Sequence, residues 1–123
     1  MIKDPLDNYI VYRKALKIHK NVMNDSKLLI GDIRGREIAK QIVRSAGSIS
    51  ATIEEGYGRG YSKEFIRYLK ISRGSTRETK GWYLRGEEFF NENILNERIR
   101  DLTEIIVILT SMINKMELET NQK

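Results

Sequence analysis

Between positions 59 and 85 the sequence carries Arg59, Lys63, Arg67, Lys70, Arg73, Arg77, Lys80 and Arg85. From Lys63 onward the spacings are four, three, three, four, three and five. At 100° per residue, a helix gathers those seven side chains into a sector of roughly 140°. Their chemistry is electrostatic. A row of guanidinium and ammonium groups about 33 Å long could track a nucleic-acid phosphate backbone. Glu78 and Glu88 interrupt the row, and Glu64 lies near its rim. A face built only for solubility mixes both signs through Glu–Lys pairs one turn apart. The opposite side holds Phe65, Leu69, Ser72, Ser75, Thr76, Thr79, Tyr83 and Phe90. Small and hydroxylated residues there, matched by "SAGSIS" at 45–50, predict close packing between two helices and no cofactor cavity.

The stretch "IEEGYGRGYSKEF" at 53–65 precedes this row. A dinucleotide fingerprint needs its glycines after a strand and opening a helix. Gly56, Gly58 and Gly60 follow a helical pattern instead, and no Gly-Lys-Ser/Thr closes the cluster as in a P-loop. The spacing predicts a reversal between helices, with Gly56 or Gly58 as the left-handed residue that ends the first. Ser62 is placed to cap the next helix. Its open N–H groups and positive dipole end would then face Arg59, Lys63 and Arg67, an arrangement suited to a phosphate.

Other chemistry is sparse. His19 is the sole histidine, with no acid or nucleophile placed beside it by sequence. Glu54 and Glu55 are adjacent and point about 100° apart on a helix. No Glu-x-x-His or histidine-rich spacing supports a metal site, and cysteine is absent, which removes disulfide and thiolate chemistry. The expectation is therefore a non-enzymatic protein without cofactor, metal or catalytic residues. Trp82 and Tyr83 are expected to pack within the bundle or an oligomer interface, although aromatics beside Arg77 and Arg85 could stack bases.

The elements that must position these groups are helical. A length of 123 residues suits one domain with a continuous core. The single proline at position 5 and the absence of strand-like alternation argue for an all-α fold. Helices are expected over about 5–28, 33–56, 62–90 and 94–118, connected by short turns. Asp4 with Pro5, Asp32 and Ser62 supply the start signals. Ile38, Ile42, Ala46, Ile49 and Ile53 form a narrow apolar seam on the second helix, and Ile99, Leu102, Ile106, Leu109, Ile113 and Met116 a heptad seam on the fourth. Short connections favour an antiparallel, up-down-up-down four-helix bundle. Ile94, Ile105, Met112 and Met116, with Val107 and Ile108, widen the apolar face of the fourth helix beyond what one bundle needs, which predicts self-association. The net charge of +5 permits a polyanionic partner. No apolar run approaches a membrane span, and the chain is expected to be cytoplasmic.

The segment "RSAGSISATIEEGYGRGYSKEFIRYLKISRGSTRET" closely resembles the signature of the bacterial four-helix-bundle family encoded in intervening sequences of large-subunit ribosomal RNA genes. The matching positions are Arg44, Ser48, Ile49, Ile53, Glu55, Gly56, Gly58, Arg59, Glu64, Phe65, Leu69, Gly74, Ser75 and Glu78. Thr52 stands where the family usually has Asn, Ser72 where it has Ala, and "TKGWYLRGEEF" departs from the family's continuation. The resemblance implies a bundle that assembles as a ring-shaped homo-oligomer, commonly a pentamer. It also implies a fold similar to the accessory protein of diversity-generating retroelements, which binds a reverse transcriptase and nucleic acid. RNA or DNA, and alternatively a reverse transcriptase, are thus the expected partners besides the protein itself.

Overall fold

The computed structural model describes residues 2–121. Four α-helices account for most of them: α1 (Ile10–Asp25), α2 (Ile33–Gly58), α3 (Lys63–Arg85) and α4 (Glu92–Asn121). Short 3₁₀ turns occupy Pro5–Asn8, Ser26–Leu28 and Glu87–Phe89, and no strand occurs among the described residues.

Local chemistry sets most of the boundaries. The Asp32 carboxylate accepts from the Arg34 N–H at 2.8 Å and starts α2, and the Ser62 hydroxyl accepts from the Glu64 N–H at 3.2 Å and starts α3. Asp4 also caps, but what it caps is the turn at Pro5–Asn8, through the Leu6 N–H at 3.0 Å. The helix expected from position 5 is therefore interrupted. Extended backbone at Tyr9 folds Leu6 into the core and lays the Tyr9 ring against Tyr57, 5.7 Å between centroids. At its other end α1 stops at Asp25, whose buried carboxylate is tied to α4. The third helix likewise ends at Arg85 and not near Phe90; a tight turn then brings Phe90 back to within 5.2 Å of the Tyr83 ring.

The apolar seams converge on one core. Ile42, Ala46, Ile49 and Ile53 of α2 are buried, as are Leu102, Ile105, Leu109, Ile113 and Met116 of α4 and Val11, Ala15, Ile18 and Val22 of α1. Ile38 and Ile99 are half-buried at its margin. Within α4, Ile105 and Ile106 are taken up by the bundle's own interior, whereas Val107 stays 61% exposed.

The most extensive packing joins α2 to α3, and α4 covers the other flank of α3. The α2–α3 seam is built from hydroxyls. Ser72 donates to the Ile49 carbonyl at 2.8 Å, and the Ser75 and Ser48 hydroxyls lie 2.9 Å apart. One turn further on, the Thr79 and Ser45 hydroxyls are 2.8 Å apart. Rising numbers on α3 thus meet falling numbers on α2. Thr76 bonds back to the Ser72 carbonyl at 2.8 Å, so each of these buried hydroxyls has a partner.

A second polar device closes the far end of the core. The Asp25 carboxylate accepts from Arg98 Nε at 2.7 Å and Nη2 at 3.3 Å, and from the Tyr83 hydroxyl at 2.6 Å. All three residues are buried. Burial and the Asp25 carboxylate together push the Tyr83 phenol far above its ordinary value, so it remains a donor. The ion pair and phenol link α1, α3 and α4 at one point. Removing one charged partner leaves the other buried and uncompensated, which costs about 3–5 kcal/mol. Arg98→Ala should therefore lower unfolding free energy by about that amount in urea titration. The Asp25→Asn/Arg98→Ala double variant should recover part of the loss, because no unpaired charge remains inside.

Candidate nucleic-acid interface

The loop after α2 presents its glycines differently from the expected pattern. Gly60, and neither Gly56 nor Gly58, has the left-handed backbone, with φ of 89°. Gly56 and Gly58 lie within α2, which runs to Gly58. Gly56 is required for another reason: a Cβ there would meet Tyr68 Cβ at 2.6 Å. The close approach of α2 and α3 leaves no room for a side chain. Gly60 then turns the chain so that Ser62, in extended backbone, caps α3.

Tyr68, which sits on Gly56, carries two of the expected cations. The Arg59 guanidinium lies 5.4 Å from its ring centroid and that of Arg67 at 4.6 Å. Both also contact carboxylates, Arg59 with Glu55 at 2.7 Å and Arg67 with Glu64 at 3.2 Å. Those carboxylates hold the two guanidiniums above their ordinary pKa, while Arg67 lowers that of Glu64. Lys70 pairs across to Glu117 of α4 at 3.2 Å. These pairs are all solvent-exposed and therefore hold weakly. Lys63, Arg67 and Lys70 line an open cleft of about 270 Å³ with Ile66 and the end of α4 at Glu117, Thr120 and Asn121.

Further along α3 the cations contact no carboxylate among the described residues, and Glu78, exposed, is the one acid on that stretch of the helix. Arg73, half-buried, donates from Nη1 to the Thr110 hydroxyl of α4 at 3.2 Å. Arg77 is exposed and Lys80 half-buried, and Arg85 lies over Trp82 at 4.8 Å from the ring centroid. Lys63, Arg73, Arg77, Lys80 and Arg85 form no ion pair among the described residues. The polar positions of α4 that wheel geometry places within one arc of about 60° are Glu92, Asn96, Thr103, Thr110, Asn114, Glu117 and Asn121. Glu92 and Glu117, near its two ends, are acidic. The seam between α3 and α4 is therefore a cationic bank facing a mostly neutral, hydroxyl- and amide-bearing one.

The residues weighed for other chemistry are engaged elsewhere. Glu54 accepts from the Tyr12 hydroxyl at 2.8 Å, which pushes that phenol up to about 12. Half-buried His19 packs beside Gly47 of α2. Among the described residues, no three His, Cys, Asp or Glu side chains approach closely enough to hold a metal ion, and no helix is long and apolar enough to cross a membrane. Tyr83 is enclosed in the core and Trp82 is half-buried against it, its indole N–H buried without a partner. Sequence reasoning did not single out Tyr68, Thr110 or Glu117. The spacing of Tyr57, Tyr61, Phe65 and Tyr68 was the available signal for the first, whereas the α4 partners required the fold.

The model of the 23S rRNA-intervening sequence protein family matches residues 7–115. The chain belongs to that family. The matched span encloses the whole motif between Arg44 and Glu78, so the family resemblance holds. A crystal structure from Bacteroides thetaiotaomicron, of a protein of unknown function in the S23 ribosomal protein family, is similar at a TM-score of 0.77 and 30% identity. The likeness covers 85% of this chain and 98% of that one. No curated protein matches the chain.

Because Gly56 underlies the ring that both guanidiniums cover, its replacement should act on stability and on the loop together. Gly56→Ala should destabilise the protein by about 1–3 kcal/mol, the usual range for overpacking. The loss should appear in thermal melts, accompanied by faster proteolysis at Arg59.

Proposed function

We propose that the protein is a non-enzymatic, oligomeric helical-bundle protein that binds nucleic-acid phosphates, RNA above all, through the basic face of α3. The carrying observation is the sign of the α3–α4 seam, where Arg73, Arg77 and Lys80 have no carboxylate partner among the described residues. Hydroxyl partners leave a guanidinium's charge intact for a polyanion, and an opposite bank that is mostly neutral adds little repulsion. Arg59, Lys63, Arg67, Lys70 and Arg85 extend the face, with Arg59, Arg67 and Lys70 exchanging a weak carboxylate contact for a phosphate. The binding is electrostatic and weakly sequence-specific, as expected where contacts reach phosphates and not base edges.

The protomer in this reading is an up-down-up-down bundle. Falling-against-rising contacts support it: Ser72 to Ile49 and Thr79 to Ser45 across α2–α3, Lys14 to Glu104 and Arg98 to Asp25 across α1–α4. The ring, a pentamer by family resemblance, rests on the apolar surface left outside the core, where Ile10 and Val107 are more than half exposed. That same surface supports a second reading, a cytoplasmic protein–protein adaptor serving a reverse-transcriptase-like partner, with the basic face aiding encounter.

Salt dependence separates the two. Each phosphate contact on a single strand contributes roughly −0.7 to the slope of log K against log salt. The Arg73→Ala/Arg77→Ala/Lys80→Ala variant should bind single-stranded RNA more weakly and flatten that slope by about 2. An unchanged slope removes the α3–α4 seam from the interface. Partner capture that survives nuclease and high salt favours the adaptor.

A further inference from the structure

Beyond the basic face, the end of the bundle beside the glycine loop gathers four aromatic rings, of which Tyr61 lies outside the core. Tyr9, Tyr57, Gly60, Tyr61 and Phe65 line an open cavity of about 350 Å³. Tyr9 and Tyr61 also border a second, of about 250 Å³, with Met112, Lys115 and Met116. The rings meet edge to face: Tyr57 and Phe65 at 6.1 Å between centroids, Tyr9 and Phe65 at 6.4 Å, Tyr61 and Phe65 at 6.3 Å. Phe65 is the buried floor of this group.

Tyr61 stands at the mouth. It remains 63% exposed, with Phe65 as its single ring neighbour, so it is open to a stacking partner. Two features bias its position. The left-handed Gly60 before it sets the backbone, and its hydroxyl donates to Glu119 of α4 at 3.0 Å. A large exposed aromatic held at the rim of an aromatic cavity is a preorganised stacking platform. Its surroundings are mixed in charge. Lys115 borders one side, and Lys63 begins α3 two residues on; the cleft it lines with Arg67 and Lys70 lies on the other side of that helix and is reached around its start. Glu119 is engaged by Tyr61, and Glu117 by Lys70.

We propose that this aromatic cavity seats an unpaired nucleobase against Tyr61 while the adjoining phosphates pass to the Lys63–Arg67–Lys70 cleft. This rests on the phosphate-binding reading above and narrows it: the ligand is single-stranded. Stacked, paired bases of a duplex cannot enter, whereas splayed bases of a single strand present a π-face to any tyrosine. The cavity selects strandedness and the cations supply affinity.

The test uses the full chain with an eight-nucleotide single-stranded RNA, an abasic strand of equal length and charge, and the matching duplex, each titrated at two salt concentrations. The natural strand should bind roughly tenfold more tightly than the abasic one, as expected for stacking of one base. Tyr61→Ala should abolish that difference without changing the salt slope, and Tyr61→Phe, which keeps the ring but loses the Glu119 bond, should retain most of it. Tyr61 is exposed, so circular dichroism should show both variants folded. Equal, salt-sensitive binding of natural and abasic strands overturns the base site and leaves the phosphate reading standing. Preference for the duplex also overturns the base site. Absence of salt-dependent binding to every probe overturns both.

Discussion

The hydrogen bond from Ser72 to the Ile49 carbonyl constrains much of the architecture around α3. A side chain as short as serine reaches a main-chain oxygen on another helix only if the two backbones approach unusually closely. Leucine at Ser72, Ser75 or Thr79 would hold the helices apart, and so would any Cβ at Gly56. Once α3 is committed to α2 by this small-residue seam, its rotation about its own axis is settled. Lys63, Arg67, Lys70, Arg77 and Arg85 then face outward, and Arg73 and Lys80 flank α4. The cationic face follows from the hydroxyl seam.

The interior is also more polar than an apolar-seam description suggests. Hydroxyl pairs between helices and the Asp25–Arg98–Tyr83 group contribute modest net stability when intact, because each bond replaces one to water. Their larger effect is on alternatives. A one-turn slip of α3 along α2 would strand several buried hydroxyls, and a shift of α4 would expose Asp25 to hydrocarbon without its guanidinium. Such penalties exceed the value of the bonds themselves and favour a single register. That restriction also fixes the lateral order of the charges along the roughly 33 Å of α3.

What could be read from the chain divides along sequence separation. The α2 and α4 seams, the caps Asp32 and Ser62 and the small-residue match of α2 with α3 are all set within a few turns, and they stand in the fold as read. The start of α1 was misplaced because Asp4 and Pro5 carry a genuine cap signal that a 3₁₀ turn uses equally well. Gly60 takes the positive φ and α2 runs on to Gly58, while the need for glycine at 56 comes from its contact with Tyr68, a tertiary fact with no local signal. Asp25 and Arg98 lie 73 residues apart, with no local pattern to join them. For the candidate interface, the cations form one arc by helical period alone. Their partners do not follow from it: Glu117 is 47 residues from Lys70, and Thr110 is 37 from Arg73.

Those partners change the meaning of the arc. Read by charge alone, the strongest site would be the start of α3, where a helix dipole and three cations coincide. Carboxylates also gather there: Glu55, Glu64 and Glu117 each hold one cation. The local excess of positive charge is therefore small, and an incoming phosphate must displace three contacts, each weak. The middle of α3 has no dipole to offer, but no carboxylate holds its cations: Arg73 rests on a hydroxyl, and Glu78 is the one acid on that stretch. The two regions are thus suited to different work. In the proposed complex the middle of the helix would supply long-range attraction that salt screens, and the compensated start, beside Tyr61 and its cavity, short-range contacts that depend on ligand shape. A polyanion drawn in by the first and sorted by the second would show affinity and selectivity arising from separate parts of one helix.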